Sequence, residues 1–395
     1  MSIETNTEEQ VFQTKEVSVL ASTHAIHDTY TAFLPALLPV LIEKFSMTNT
    51  AAGLLSVFLQ IPSLLQPLIG RLADRRNLKL VIILSPAFTG IAMSLLGVAP
   101  SYGILALLLL SAGISSASLH AVAPVLGSTF SGSKLGKSMS FWMVGGELGR
   151  ALGPIIIVTA ISYLELGGLP WLMLGGILMS VFLFGKLNTI TTKPERAPVS
   201  EHMRKALKKM KHIMGPVAVL IFTRSMVSAT LTTFLPTYLK SQGSTLWVAG
   251  ASLTILEISG MVGALIAGSL SDRFGRRQLL FSSYFFTPIF MFLFVQAEGI
   301  LKILLLVLLG FFAISITPVL MAVVIENFSD NRSFANGVYM ALSFVLHSMA
   351  ILLVGFLSDL VDLRFTFLIG AGLLPIGLIF IRFLPKTNSA SNQPN

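Results

Sequence analysis

The chain has 395 residues, of which 54% are apolar and only 11% are charged. Soluble globular proteins carry about 25% charged residues, so the composition excludes an ordinary soluble fold and predicts a polytopic membrane protein. The absence of cysteine excludes disulfides, thiolate catalysis and cysteine-ligated metals. Most of the 27 basic residues, in a net charge of +9, lie in short loops between apolar stretches, which argues against a nucleic-acid partner.

Residues 1–16 are polar and acidic and lack the basic segment and cleavage site of a signal peptide, so we expect a cytoplasmic tail. Apolar stretches of about 20 residues, the length that crosses a bilayer as a helix, follow to near the C-terminus. They lack the period-2 alternation of barrel strands, so the prediction is an all-α membrane protein. The twelve predicted spans cover residues 17–43, 49–72, 78–98, 102–130, 136–162, 168–189, 213–239, 246–270, 278–297, 300–326, 334–358 and 363–384.

The distribution of Lys and Arg predicts the orientation of these spans. With the N-terminus inside, all but six of the basic residues lie on the cytoplasmic side, since only Lys44, Lys240, Lys302 and Arg364 fall outside and Arg150 and Arg224 lie within spans. We therefore expect both termini in the cytoplasm.

A motif that occurs twice indicates two related halves. Residues 70–79 (GRLADRRNLK) resemble residues 268–277 (GSLSDRFGRR), and each segment joins two spans. This repeat predicts a six-helix half at 17–189 and another at 213–385, with a substrate site between them near the bilayer midplane. The residues expected to act as a conformational latch in the two copies are Gly70, Asp74, Arg75, Gly268, Asp272 and Arg273. A plain positively charged turn is the alternative.

The segment between the halves, residues 190–212, is basic. Its apolar residues recur at helical spacing from Met203 to Met210 with lysines opposite. Two interpretations stay open: an amphipathic helix that contacts membrane lipids on the inner leaflet, or a solvated loop. Residues 386–395 are expected to form a cytoplasmic tail.

In the fifth span, Gly145, Gly149 and Gly153 recur at every fourth residue and Pro154 follows. This spacing gives a flat helix face that permits close packing, and the proline favours a bend. The face is similar to the antiporter motif of proton-coupled drug exporters. Ordinary packing of small residues is the alternative.

Ionisable residues inside spans are costly unless they are paired or hydrated, so they mark candidate functional sites. His24 and Asp28 lie four residues apart on one helix face, and a histidine beside a carboxylate suits proton exchange near neutral pH. Asp28 is the first candidate for the proton carrier, followed by His24, Glu147 and Glu257.

Two arginines in spans cannot lose their charge. Arg150 can be neutralised by Glu147 three residues away, whereas Arg224 has no acidic residue nearby on its own helix and is the better candidate for an anion site. Glu257 is either a second proton site or a partner of Arg224. Packing is the alternative role for most of the proposed substrate contacts, which are Arg224, Arg150, His120, Phe33, Gln60, Trp142 and His347.

Residues 24–39, residues 66–75, His120 at the end of the fourth span and residues 145–154 together resemble the fosmidomycin-resistance branch of the major facilitator superfamily. The resemblance implies twelve helices, alternating access, a bacterial inner-membrane location and drug efflux driven by inward proton flow. Two departures lie near the expected cavity. Where the family has His-Pro-Glu, this chain has His-Ala-Val, beginning at His120. Glu147 stands where the family has an uncharged polar residue. The substrate therefore need not be the phosphonate that names the branch.

Three functions compete. The leading one is a proton-coupled exporter of small anionic or amphiphilic compounds, and the alternative is a symporter or uniporter that imports an organic anion. The third, an intramembrane enzyme or a receptor, is disfavoured because the sequence has no metal-ligand cluster, no Gly-x-Ser-x-Gly and no phosphate-binding loop. Two candidate metal ligands on one helix, His24 and Asp28, are a weak signal. We expect no cofactor or metal, and a monomer, since one chain already contains both halves.

Overall fold

The computed structural model describes residues 12–73, 78–132, 134–187, 203–328 and 332–385. All regular secondary structure in these ranges is helical. The spans are α1 (Thr14–Phe45), α2 (Asn49–Leu72), α3 (Lys79–Val98), α4 (Tyr102–Thr129), α5 (Leu135–Gly168), α6 (Met173–Leu187), α7 (Met203–Ser228, continued by Ala229–Thr233 and Leu235–Ser241), α8 (Leu246–Phe274), α9 (Arg276–Gln296), α10 (Gly299–Asn327), α11 (Arg332–Leu360) and α12 (Leu363–Ile381).

The helices α5 and α6 form one helical stretch of 53 residues that contains two spans. The chain breaks the helix at Glu165, whose φ of 55° lies in the left-handed region. Beyond the break α6 runs antiparallel to α3, because Gly97 contacts Leu169 whereas Gly90, earlier in α3, contacts Gly176, later in α6. The described ranges therefore contain twelve crossings, as the sequence predicts. The predicted linker 190–212 is helical from Met203 onward, and its residues 190–202 lie outside the described ranges.

Buried apolar side chains separate by half. Two clusters lie in the first half, around Leu37 and around Leu119, and a third lies in the second half around Tyr238. Val57 of α2 is an exception, because it packs into the cluster of the second half. Each half thus has its own core, an arrangement that permits the halves to move against each other as units.

The glycine face of α5 packs against α1. A methyl group at Gly145, Gly149 or Gly153 would overlap with the backbone of α1, at Ala21, Ala25 and Thr29 respectively. Each step of four residues along α5 meets a residue four positions further along α1. The two helices therefore run parallel and pack closely. The predicted flat face therefore has a definite partner, the helix that carries His24 and Asp28.

Contacts between the halves occur at the membrane face where α2 and α8 begin, which we call the outer face. The carboxylate of Asp359 at the end of α11 accepts hydrogen bonds from the backbone N–H groups of Asn49 and Thr50, at 2.7 and 2.8 Å, and from the Thr50 hydroxyl at 2.6 Å. The indole Nε1–H of Trp247 donates to Thr159 Oγ1 at 3.2 Å. At the other face, no described atom that could obstruct a methyl group lies within 4 Å of positions 70 and 268.

Candidate functional site

Three titratable side chains from α1 and α4 meet in the first half. His24 Nε2 lies 3.2 Å from Asp28 Oδ2 and 3.0 Å from His120 Nε2, and His120 Nε2 lies 3.8 Å from Asp28 Oδ1. The side chains of His24 and Asp28 are only 6% and 7% exposed, whereas that of His120 is 29% exposed. We call these three residues the histidine–aspartate cluster; it is buried except at His120.

The glycine face of α5 explains how this cluster forms. A methyl group at Gly146 would overlap with the His24 ring, so the glycine makes room for the imidazole. One turn earlier, the Trp142 ring stacks on His24 with a centroid distance of 3.8 Å and an interplanar angle of 18°. Gly146 and Trp142, which neighbour the predicted face of Gly145, Gly149 and Gly153, thus position the His24 ring.

Both histidine rings of the cluster are fixed through Nδ1. His24 Nδ1 lies 2.8 Å from the carbonyl oxygen of Trp142, and His120 Nδ1 lies 2.8 Å from the carbonyl oxygen of Ser116. The Ser116 hydroxyl is farther, at 3.4 Å from the same nitrogen. A carbonyl oxygen only accepts hydrogen bonds, so these contacts favour a proton on each Nδ1.

The cluster is also a candidate metal site by residue type, since its three ligand atoms lie within 4.8 Å of one another. The sequence alone shows only two of these residues on one helix. A tetrahedral zinc with bonds of about 2.05 Å would separate two nitrogens by about 3.3 Å, whereas the two Nε2 atoms lie at a hydrogen-bonding distance of 3.0 Å. The contact between the two rings therefore fits a shared proton.

His27 lies beside the cluster on α1. It is fully buried, and neither of its ring nitrogens has a hydrogen-bond partner among the described residues. Its ring centroid is 6.0 Å from that of His120. Complete burial favours a neutral ring, because a buried charge is costly.

Next to the cluster on α5, Arg150 forms an ion pair with Glu147, and the two side chains are 45% and 19% exposed. The mutual neutralisation that the sequence left open is therefore present in this conformation. Glu257 of α8 lies close enough to both residues to interact with them electrostatically. It faces this pair from the second half.

Arg224 of α7 lies in the second half in a different environment. Its Nε is buried without a hydrogen-bond partner, and no carboxylate lies within 4 Å of it in the part of the chain that the structure describes. Its charge acts on Tyr284, Tyr339 and His347. His347 itself is half-buried. The side chains that feel this charge are thus two tyrosines and a histidine.

Other predicted substrate contacts differ in position. Phe33 is 1% exposed in the core of the first half and packs against Tyr30, and Trp142 is 7% exposed against His24, so neither side chain faces an opening in this conformation. Gln60 lines a cavity of about 180 Å³ between the halves. The remaining lining residues are Ile61, Leu64, Phe344, Val345, Ser348, Met349 and Leu352.

Of the predicted latch residues, the structure describes Gly268, Asp272 and Arg273 in the second half and only Gly70 in the first. Asp272 Oδ1 lies 2.6 Å from Arg276 Nη2, which also contacts Glu326 of α10 at 2.8 Å. The Arg273 guanidinium lies over the Phe274 ring. Asp74 and Arg75 lie outside the described residues. The sequence missed Asp359, because the helix start that its carboxylate accepts from lies in the other half of the chain.

Comparison with known proteins places this geometry in context. The model of the Major Facilitator Superfamily matches residues 20–297 and 253–395. The chain is 23% identical over 379 residues to the fosmidomycin resistance protein of Escherichia coli (strain K12), covering 93% of this chain and 92% of that protein, so the predicted resemblance is confirmed. The nucleoside transporter NupG has a similar fold, with a TM-score of 0.72 and 14% identity over 93% of this chain and 98% of that one. A D-xylose-proton symporter gives a TM-score of 0.72 and 16% identity, over 94% and 98%.

Proposed function

Because the chain belongs to the Major Facilitator Superfamily, a family of membrane transporters rather than enzymes, we propose that it exports small anionic or amphiphilic compounds in exchange for protons. The direction is suggested by the relative named for fosmidomycin resistance and by the glycine face of α5. The D-xylose-proton symporter with a similar fold keeps import of an organic anion as the alternative.

The histidine–aspartate cluster carries the proton-coupling part of this proposal. Ionisable groups within a span are expensive, and they persist where they serve transport or proton relay. His24, Asp28 and His120 combine burial with one exposed edge, which gives a proton a route in and out. Glu147 and Glu257 are further carboxylates near the interface between the halves, and they can titrate when the Arg150 pair opens.

The anion site of the proposal is Arg224. A guanidinium without an acidic partner is the group that a carboxylate or phosphonate of a substrate would satisfy. His347 and Arg150 contribute further donors, and the apolar cavity at Gln60 accommodates the uncharged part of an amphiphile. Such cavities, mostly apolar with few polar groups, are typical of small-molecule sites.

Alternating access accounts for the contacts at the outer face. With both termini in the cytoplasm, as the basic residues predict, the halves meet at the outer side and the site opens inward. In the opposite state we expect the latch motifs to close the cytoplasmic side, with Gly70 and Gly268 permitting close approach and Asp74, Asp272, Arg75 and Arg273 forming contacts between helices. We further propose a monomer in the bacterial inner membrane, with the basic linker at the lipid headgroups.

The test uses purified protein in liposomes with a pH-sensitive dye inside and a panel of organic anions and amphiphiles outside. Exchange predicts that inward movement of a transported compound drives protons out of the vesicle interior and makes it alkaline. Acidification together with uptake would identify the symporter alternative. No solute movement under any pH gradient would refute the proposal.

A further inference from the structure

The histidine–aspartate cluster contains four short contacts whose donors can be counted. Two join His24 Nδ1 and His120 Nδ1 to carbonyl oxygens, and each needs a proton on the nitrogen. The third joins the two Nε2 atoms at 3.0 Å and needs a proton on one of them. Two neutral imidazoles carry only two ring protons, so the three contacts require one imidazole and one imidazolium.

The fourth contact decides which ring is charged. His24 Nε2 lies 3.2 Å from Asp28 Oδ2. If His24 carries the additional proton, its Nε2–H can be shared between Asp28 and His120 Nε2, and every contact has a donor. If His120 carries it, the lone pair of His24 Nε2 has to accept from His120 while it also faces the Asp28 carboxylate.

Arrangements in which both imidazole rings are neutral also leave a contact without a matched donor and acceptor. Placing the His120 proton on Nε2 leaves its Nδ1 lone pair 2.8 Å from the Ser116 carbonyl oxygen, with only the Ser116 hydroxyl at 3.4 Å to compensate. Protonating Asp28 leaves two donors competing for the single Nε2 lone pair of His24, or two Nε2 lone pairs facing each other. Each of these alternatives leaves a contact at this buried position without a matched donor and acceptor.

The surroundings of His24 also favour a cation. The ring stacks on the Trp142 face at 3.8 Å, a position in which a positive charge is attracted by the indole. Asp28 supplies the counter-ion from the same helix. The other titratable or charged groups near the cluster are His27 on α1 and Glu147 and Arg150 on α5; Arg150 is already paired with Glu147.

We propose that the coupling proton of this transporter resides on His24 Nε2, shared with His120, and that Asp28 is a permanently ionised counter-ion rather than the proton carrier. The inference rests on the proposed proton exchange and locates the proton within it. His120, the exposed member of the cluster, passes the proton between His24 and the outside of the cluster. When the proton leaves, three acceptors remain 3.0–3.8 Å apart, so the cluster has to rearrange.

The first test reads the proton directly and does not depend on transport. Nitrogen-15 NMR of histidine-labelled protein in lipid, with assignment by single His→Gln variants, should show both His24 ring nitrogens protonated at neutral pH and a coupling between the two Nε2 nuclei. The Asp28 carboxyl carbon should report an ionised group. A neutral His24 with a protonated Asp28, or a stoichiometric divalent metal in the purified protein, would overturn the assignment.

The second test uses transport in liposomes. His24→Gln should abolish uptake driven by a pH gradient while retaining substrate counterflow, which shows that the variant is folded. Asp28→Asn should shift the transport pH optimum to more acidic values, because the imidazolium loses its counter-ion, and should keep gradient-driven uptake there. The exposed His212→Gln is the matched control.

Gradient-driven uptake that persists in His24→Gln but is absent at every pH in Asp28→Asn would identify Asp28 as the carrier. If the NMR assignment holds but wild-type protein moves no solute under a gradient, the proposed function fails instead.

Discussion

The two halves repeat one fold but carry different charges. In the first half, His24, Asp28 and His120 can gain or lose a proton, and their nearest fixed charge, Arg150, is held by Glu147. In the second half, Arg224 keeps its charge at all relevant pH values and has no carboxylate within 4 Å among the described residues. The difference supports the proposed division of roles, with proton exchange centred on the first half and anion binding centred on Arg224 in the second.

The largest effect is expected when the proton-binding histidine of the first half is removed. His24→Gln retains a polar side chain but cannot hold an additional proton. We expect pH-gradient-driven transport to fall to the level of protein-free liposomes, while affinity for an anionic substrate changes little. A matched loss of affinity in direct binding assays would contradict the division, because it would place His24 in the anion site.

Removing the fixed charge should give the complementary result. Arg224→Ala should weaken binding of an anionic substrate by about 10- to 100-fold, since a charged hydrogen bond contributes about 1.5–3 kcal/mol. Binding of an uncharged amphiphile should be unaffected, and the cluster NMR signals should keep their wild-type positions. Arg224→Lys, which retains the charge without the planar guanidinium, is the matched variant. Equal losses for charged and uncharged compounds would refute an anion site.

The sequence predicts contacts between residues that are close along the chain, but not contacts between distant residues. The pair His24 and Asp28 follows from helical spacing, and the flat face of α5 follows from Gly145, Gly149 and Gly153. Spacing identifies a face but not its neighbour, so the contact with α1 required the structure. His120 is 96 residues from His24, and nothing local connects them; the sequence therefore assigned it to substrate binding.

Burial could not be predicted for the same reason. Phe33 and Trp142 were predicted as substrate contacts because aromatic residues in spans suit both cavities and cores, and the sequence does not show that both are buried in this conformation. Asp359 was missed because its partners, Asn49 and Thr50, lie about 310 positions away along the chain and are backbone groups. Many helix boundaries were predictable, since long apolar runs and the bilayer thickness determine them. Exceptions are α5, which continues to Gly168 past the predicted end at 162, and α7, which begins at Met203 rather than at 213.

A smaller effect is expected at Gly146 of α5, where the absence of a side chain makes room for the His24 ring. Gly146→Ala adds a methyl group that overlaps with the imidazole and should displace it from Trp142. We expect proton-coupled flux to fall several-fold and the free energy of unfolding to decrease by about 1–3 kcal/mol, the usual cost of overpacking. Gly136→Ala, at a position with open space, is the control. A wild-type coupling ratio in Gly146→Ala would show that the ring position is unimportant.

The smallest effect is expected where the two halves touch. Asp359→Asn removes the charge that accepts from the start of α2, a contribution of about 0.3–1 kcal/mol for a carboxylate at a helix N-terminus. The outer face should open more often, by up to about fivefold. The absence of cysteine permits a direct readout, because Thr159→Cys beside Trp247 would be the single maleimide target. Unchanged labelling rates in the Asp359→Asn background would exclude a role in outer closure.

Proton release on substrate binding tests most directly whether the two halves divide proton exchange and anion binding. It can be followed with a pH indicator in weakly buffered detergent solution. If the first half holds the exchangeable proton and the second half binds the anion, wild-type protein should release protons when an anionic substrate binds, and His24→Gln should bind that substrate without release. Proton uptake on binding, or equal release by His24→Gln, would contradict the account.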